Sequence, residues 1–129
     1  MPKIFTTDIN VRFYECDFYQ HVNNANYVNY LDVAIADLFK KLYSEELELD
    51  YVFHMVHASL DFINPATFND NLEITTFISA IGNTSATFTQ SIKNKTTGIA
   101  IVNAKKIVVF LTKDATQKIP VPEKLKSLI

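Results

Sequence analysis

The sequence predicts an α+β domain in which a curved antiparallel sheet of about five strands wraps one long central helix. Three observations predict it: an alternating apolar segment near the start, a broad apolar helical pattern after it, and four β-prone segments joined by hairpin signals. The chain has 129 residues, 48% hydrophobic and 20% charged, and a chain of this length can bury roughly two-thirds of its unfolded surface. No repeat and no Pro/Gly/Ser-rich linker divides the sequence, so residues 1–129 read as one domain.

In the first element Phe5, Thr7, Ile9, Val11 and Phe13 alternate with Thr6, Asp8, Asn10 and Arg12, the period of a half-buried strand. Tyr27, Leu31, Ala34, Leu38 and Leu42 then recur at helical spacing, and Tyr30, Ile35 and Phe39 widen the apolar arc, so this helix is expected to be deeply buried. Asn23 or Asn24 suits its N-cap, while Lys40 and Lys41 suit the negative pole of its dipole. SEELELD, residues 44–50, fits either a short helix or a surface loop. Segments 52–62, 71–81, 84–93 and 99–111 are rich in Val, Ile, Phe and Thr and read as strands. Gly82-Asn83 and the KNKTTG segment at 93–98 supply turns, so the strands after the helix are expected to form an antiparallel meander.

Composition excludes several functions. Twelve Lys+Arg against fourteen Asp+Glu give a net charge of −2, which argues against a nucleic-acid partner. Cys16 is the single cysteine, so neither an internal disulfide nor a cysteine zinc site is available, and the cytoplasm is the expected compartment. The start, MPKIFTTDIN, lacks an apolar signal core, and the longest aliphatic-aromatic run, Ile107 to Leu111, falls far below the ~20 residues of a membrane helix. His54 and His57 are expected on opposite faces of a strand, which disfavours a metal site; Asp61 shares the parity of His57 and Ser59 and could line a pocket between subunits. No metal and no cofactor is expected.

The densest polar segment is Glu15-Cys16-Asp17-Phe18-Tyr19-Gln20-His21-Val22-Asn23-Asn24, between the first strand and the helix. A helix start offers unpaired N–H groups and the positive end of a dipole, both suited to an oxygen that gains negative charge. Asp17, a few residues upstream, could act as nucleophile or general base. Read from the residues alone, Asp17 and His21 could equally be ordinary loop residues and Asn23-Asn24 an ordinary cap. Cys16 has no adjacent base and reads as a small structural thiol.

The string Asp17-Phe18-Tyr19-Gln20-His21-Val22-Asn23-Asn24-Ala25-Asn26-Tyr27 resembles the D-x-x-x-H-V-N-N-x-x-Y signature of the hot-dog acyl thioesterases. It is most similar to the 4-hydroxybenzoyl-CoA thioesterase-like group and, through Y-Q-H-V-N-N-A, to its bacterial long-chain acyl-CoA branch. Later segments agree in order: Phe62-Ile63-Asn64-Pro65-Ala66 resembles an aromatic-x-x-Pro-Ala turn, Asp70-Asn71-Leu72-Glu73-Ile74 a strand entry, and Gly82-Asn83-Thr84-Ser85 a hairpin. The chain departs from the family at Ile35, where relatives carry a basic residue, and at Tyr19, where plant acyl-carrier-protein thioesterases carry Asn.

The resemblance implies a hot-dog fold and hydrolysis of an acyl-CoA, with fatty acyl favoured over aryl groups because Gln20 replaces the glycine common in the aryl branch. It implies a catalytic set of Asp17, His21 and Asn24, with Tyr19, Gln20, Val22 and Asn23 at the substrate and backbone N–H groups around Val22 to Asn24 as the oxyanion site. It further implies a homodimer or a tetramer of dimers with sites at the interface. Lys93, Lys95, Lys105 and Lys106 could meet coenzyme A phosphates, although such lysines usually mark solvated hairpins. The alternatives are a thioesterase acting on acyl-carrier protein and a non-catalytic acyl-thioester-binding protein.

Overall fold

The structure is a computed structural model that describes residues 1–44 and 49–129. In chain order it forms β1 (Phe5–Asn10), a single 3-10 turn (Phe13–Glu15), α1 (Asn24–Leu42), β2 (Tyr51–Phe62), β3 (Asn71–Ile81), β4 (Ser85–Asn94), β5 (Ala100–Thr112) and α2 (Glu123–Lys126). The strands form one antiparallel sheet in the order β1-β3-β4-β5-β2. One face of α1 carries Tyr27, Tyr30, Leu31, Ala34, Ile35, Leu38 and Phe39, all buried, as the apolar arc requires. Gln90 on β4 fastens the sheet to the helix by donating to Leu31 O at 2.9 Å and Thr76 Oγ1 at 3.0 Å.

Four details differ from the sequence reading. The first strand ends at Asn10, and Phe13, expected on its apolar face, is exposed in the 3-10 turn. The Glu15 carboxylate accepts from Arg12 N at 2.8 Å, and this bond turns the chain before alternation can continue. The meander covers only β3, β4 and β5, because β2 crosses to the far edge and pairs with β5 instead of β3. A β-bulge between Met55 and His57 shifts the register, so His54 and His57 lie opposite Val109 and Ile107 and share a face. The short α2 at the end of the chain carried no sequence signal strong enough to predict it. Most of the SEELELD segment, residues 45–48, lies outside the described residues.

The hairpin between β3 and β4 closes by a Gly82 N–H to Ser85 O bond of 2.8 Å, and a Cβ at Gly82 would stand 2.8 Å from Ser85 Oγ. Gly98 has φ +77°, which glycine adopts without the steric cost other residues bear. No helix among the described residues is long and apolar enough to cross a membrane.

Candidate active site

The segment between the 3-10 turn and α1 folds on itself. Asp17 N–H donates to His21 O at 2.7 Å and Gln20 N–H returns to Asp17 O at 2.9 Å, with Gln20 at φ 65° to close the turn. The Asp17 side chain is held from one side only. Its Oδ1 accepts from Tyr19 N at 2.8 Å and His21 N at 3.2 Å, whereas Oδ2 has no hydrogen-bond partner among the described residues. One oxygen therefore fixes the rotamer and the other is unengaged.

The helix start resolves which N–H groups are available. Asn23 is the N-cap, with extended backbone at φ −61°, ψ 135°, and its side chain accepts from Ala25 N at 3.0 Å. Val22 N–H is taken by Ala66 O at 2.9 Å, Asn23 N–H by Glu15 O at 3.0 Å, and Asn26 N–H by Asn23 O at 2.8 Å. Across positions 22 to 26, Asn24 alone keeps a backbone N–H without a partner among the described residues. The expected cluster of donors from Val22 to Asn24 thus narrows to one, because the other two amides hold the loop together.

A buried carboxylate anchors this loop. Glu15 receives Tyr30 Oη at 2.9 Å, Arg12 N at 2.8 Å and Arg12 Nη2 at 3.0 Å, while its backbone oxygen accepts from Asn23 N and from Asn26 Nδ2 at 2.9 Å. Burial by itself would raise the Glu15 pKa, but the donors from the Arg12 side chain and backbone and from Tyr30 outweigh it and hold the carboxyl below its ordinary value. Burial and the adjacent Glu15 carboxylate push the Tyr30 hydroxyl well above the ordinary tyrosine range, so it remains a donor.

Asp17, His21, Val22 and Asn24 line a cleft of about 250 Å³ with Tyr27, Phe62, Ile63, Asn64 and Pro65. Tyr19 and Gln20, expected at the substrate, are not among its lining residues; Tyr19 is exposed and packs edge-on against Phe18 at 5.5 Å. Asn23 serves as the cap. The residues missed by sequence reasoning come from the end of β2 and the turn after it, brought in by Tyr27. Its ring lies 5.9 Å from that of Phe62, and its hydroxyl accepts from Ala66 N at 2.9 Å. The Phe62-x-x-Pro65-Ala66 pattern was the available signal. Asp70, from the strand-entry motif, steadies the same turn by accepting from Thr67 N at 2.9 Å.

The other candidates separate clearly. Burial and then the neighbouring Asp17 and Glu15 charges raise the Cys16 thiol pKa, the wrong direction for a nucleophile. Ser59 and Asp61 line a second cavity, of about 370 Å³, on the outer face of the sheet with Thr89, Ser91, Asn103 and Lys105. Among the described residues no cluster of three or more metal-ligating side chains occurs. Lys93 pairs with Glu73 at 3.3 Å and Lys95 with Asp8 at 2.6 Å on the surface. Lys106, expected on a solvated hairpin, is instead buried on the inner face of β5 and bound to Asp32 of α1 at 2.6 Å.

Residues 11–129 match the family model described as the thioesterase-like superfamily. The chain belongs to this family. It is 30% identical over 119 residues to the long-chain acyl-CoA thioesterase FadM of Escherichia coli (strain K12), covering 87% of this chain and 86% of that protein. Among solved structures it superposes on Slr0204, a 1,4-dihydroxy-2-naphthoyl-CoA thioesterase from Synechocystis, with TM-score 0.87 at 20% identity, covering 98% and 96% of the two chains. A 4-hydroxybenzoyl CoA thioesterase mutant complexed with 4-hydroxybenzoyl CoA gives TM-score 0.83 at 25% identity, with 97% of each chain covered. The five-stranded antiparallel sheet around α1 is the hot-dog fold of these thioesterases, and the protein is a thioester hydrolase.

Proposed function

We propose that this thioesterase hydrolyses acyl-CoA to free acid and coenzyme A, with fatty acyl groups favoured over aryl ones. The observation that carries the reading is the pairing, on one cleft, of a carboxylate with one unengaged oxygen and a helix-start N–H with no partner. Asp17 Oδ2 either attacks the thioester carbonyl carbon or takes a proton from the water that does. Negative charge develops on the carbonyl oxygen, and the Asn24 N–H, backed by the α1 dipole, stabilises it. Collapse of the tetrahedral species expels the coenzyme A thiolate. In the direct route water then cleaves the acyl-aspartyl anhydride and regenerates the carboxylate.

His21 lines the same cleft and orients the water or the thioester carbonyl. Phe62, Ile63 and Tyr27 supply apolar surface for the acyl group. Similarity to FadM over most of both chains, with Tyr19-Gln20-His21-Val22-Asn23-Asn24 in place, supports the fatty acyl preference.

A second copy completes the site. β2 is a twelve-residue edge strand that is exposed over most of its length, with Met55, Val56 and Phe62 all about half exposed, and such an edge favours pairing with another strand. Because Phe62 also borders the cleft, a partner seated on β2 closes it from solvent.

The test is thiol release from fatty acyl-CoA, aryl-CoA and acyl-carrier-protein substrates, with the water labelled in a single turnover. Release from fatty acyl-CoA above the others supports the reading, and label appearing in Asp17 identifies direct attack. Activity confined to acyl-carrier protein, or tight binding without turnover, contradicts it.

A further inference from the structure

Side chains in an ordered ladder join α1 to the β5–β2 side of the sheet. α1 lies against β1 and β3, so β2 stands away from it and the two elements meet through side chains. From the cleft outward, Tyr27 meets Phe62 at 5.9 Å, Asp32 meets Lys106 at 2.6 Å, and Phe39 stacks on Phe53 at 4.8 Å. Lys106 sits directly opposite Ala58 of β2 in the sheet register, which locates the ion pair in this seam. Between the first and second rungs the side chains are apolar: Val28, half-buried on the helix, and Leu60, partly buried on the strand, over Leu31 in the core beneath. Asn24, Val28 and Asp32 follow at intervals of four on one helix face, which puts Asp32 about 12 Å along the axis from the helix start.

The ion pair is unusual in its surroundings. Lys106 is 1% exposed, and its ammonium has Asp32 as its one hydrogen-bond partner among the described residues. Asp32 itself is 59% exposed at the open side of the seam. A buried ammonium held by a single, half-exposed carboxylate is a poor source of stability compared with an apolar side chain of the same volume, so its presence beside an apolar seam asks for another role. An aliphatic chain pressed against it would strip water from Asp32 and give no hydrogen bond in return, a net cost.

We propose that the Lys106–Asp32 pair is the end stop of the acyl site, and that it selects aliphatic acyl groups of medium length. This rests on the hydrolase reading above and deepens it. An acyl group whose thioester sits between Asp17 and Asn24 runs along Val28 and Leu60, gains with each methylene buried there, and loses once its tail reaches the charges. The basic partner of Asp32 comes from the sheet, at Lys106, 74 residues along the chain.

The experiment is the chain-length profile from butanoyl-CoA to palmitoyl-CoA, read as kcat/KM, for native protein, Lys106→Met and Lys106→Arg. The native profile is expected to peak at medium length and fall at least tenfold by palmitoyl-CoA. Lys106→Met, similar in length and uncharged, should raise the ratio of palmitoyl to octanoyl activity at least tenfold, and Lys106→Arg should keep the native ratio. The same series of non-hydrolysable thioether analogues, measured by binding, reads the profile without turnover. A native profile that rises through palmitoyl, or an unchanged ratio in a folded Lys106→Met, overturns the end stop. Absence of thiol release from every substrate overturns the hydrolase reading, and the binding profile then decides the end stop separately.

Discussion

The Tyr30 hydroxyl, in the middle of α1, donates to Glu15 Oε1 at 2.9 Å inside the protein, two residues before Asp17 in sequence. This bond ties the loop that carries the carboxylate to the helix that carries the N–H. Removing the hydroxyl with Tyr30→Phe should lower unfolding free energy by about 1.5–3 kcal/mol, the range for a hydrogen bond to a charged group. Urea unfolding measures it, and a loss well under 1 kcal/mol would show that Arg12 alone secures Glu15.

Glu15 also sets an acid dependence. Its folded pKa lies below the unfolded value, so in the window between the two the unfolded chain binds more protons and stability rises with pH. The contribution is fully present above the ordinary glutamate value of about 4.3 and is lost as pH falls through the lower folded value. Glu15→Gln should therefore be less stable at neutral pH and show a shallower acid-side loss. Urea midpoints followed from neutral to acid pH check this; parallel curves for the two proteins would contradict it.

Asn23 caps α1 through its side chain, and Asn23→Ala should cost about 1 kcal/mol while Asn23→Asp or Asn23→Ser keeps most of the stability. Thermal or urea unfolding of the three variants distinguishes a cap from a residue needed for the substrate. A stable Asn23→Ala with lost activity would contradict the capping role.

Asn24 offers a way to remove one N–H and little else. It is the first helical residue, a position where proline is well tolerated, and Asn23 already has the extended backbone that a following proline demands. Asn24→Pro should stay folded and lose roughly 10²–10³-fold in kcat, as removal of an oxyanion donor does. Asn24→Ala, which keeps the N–H, should lose far less. Equal losses in the two variants would assign the effect to the side chain.

The β2 edge predicts an assembly as well. Val56→Lys places a charge at the bulge of the exposed edge strand, and it should shift the protein toward monomer and lower activity together. Light scattering and thiol release on the same samples check the link. A monomeric variant with full activity would show that the cleft works alone.

Much of this was legible in the sequence. Alternation and the helical arc at Tyr27, Leu31, Ala34 and Leu38 located the strands and α1 because each buries one face, and periodicity reports a buried face directly. Asp17, His21 and Asn24 were brought to one cleft because they are close in sequence around a helix start. Features that depend on distant pairing were out of reach. The crossover of β2 beside β5, the bulge that turns His54 and His57 to one side, and the approach of Phe62 to Tyr27 are decided by tertiary register. Lys106 looks like a surface lysine in the sequence for the same reason, since its partner Asp32 lies 74 residues away.

The central claim is that Asp17 performs the hydrolysis, and thiol release by native protein and Asp17→Asn tests it most directly. Asparagine keeps an oxygen for the Tyr19 and His21 amides, so the loop should hold its shape while the nucleophile or base is gone. The account predicts hydrolysis of fatty acyl-CoA by the native protein and a loss of roughly 10²–10⁴-fold in a folded Asp17→Asn. A folded Asp17→Asn as fast as native would contradict it.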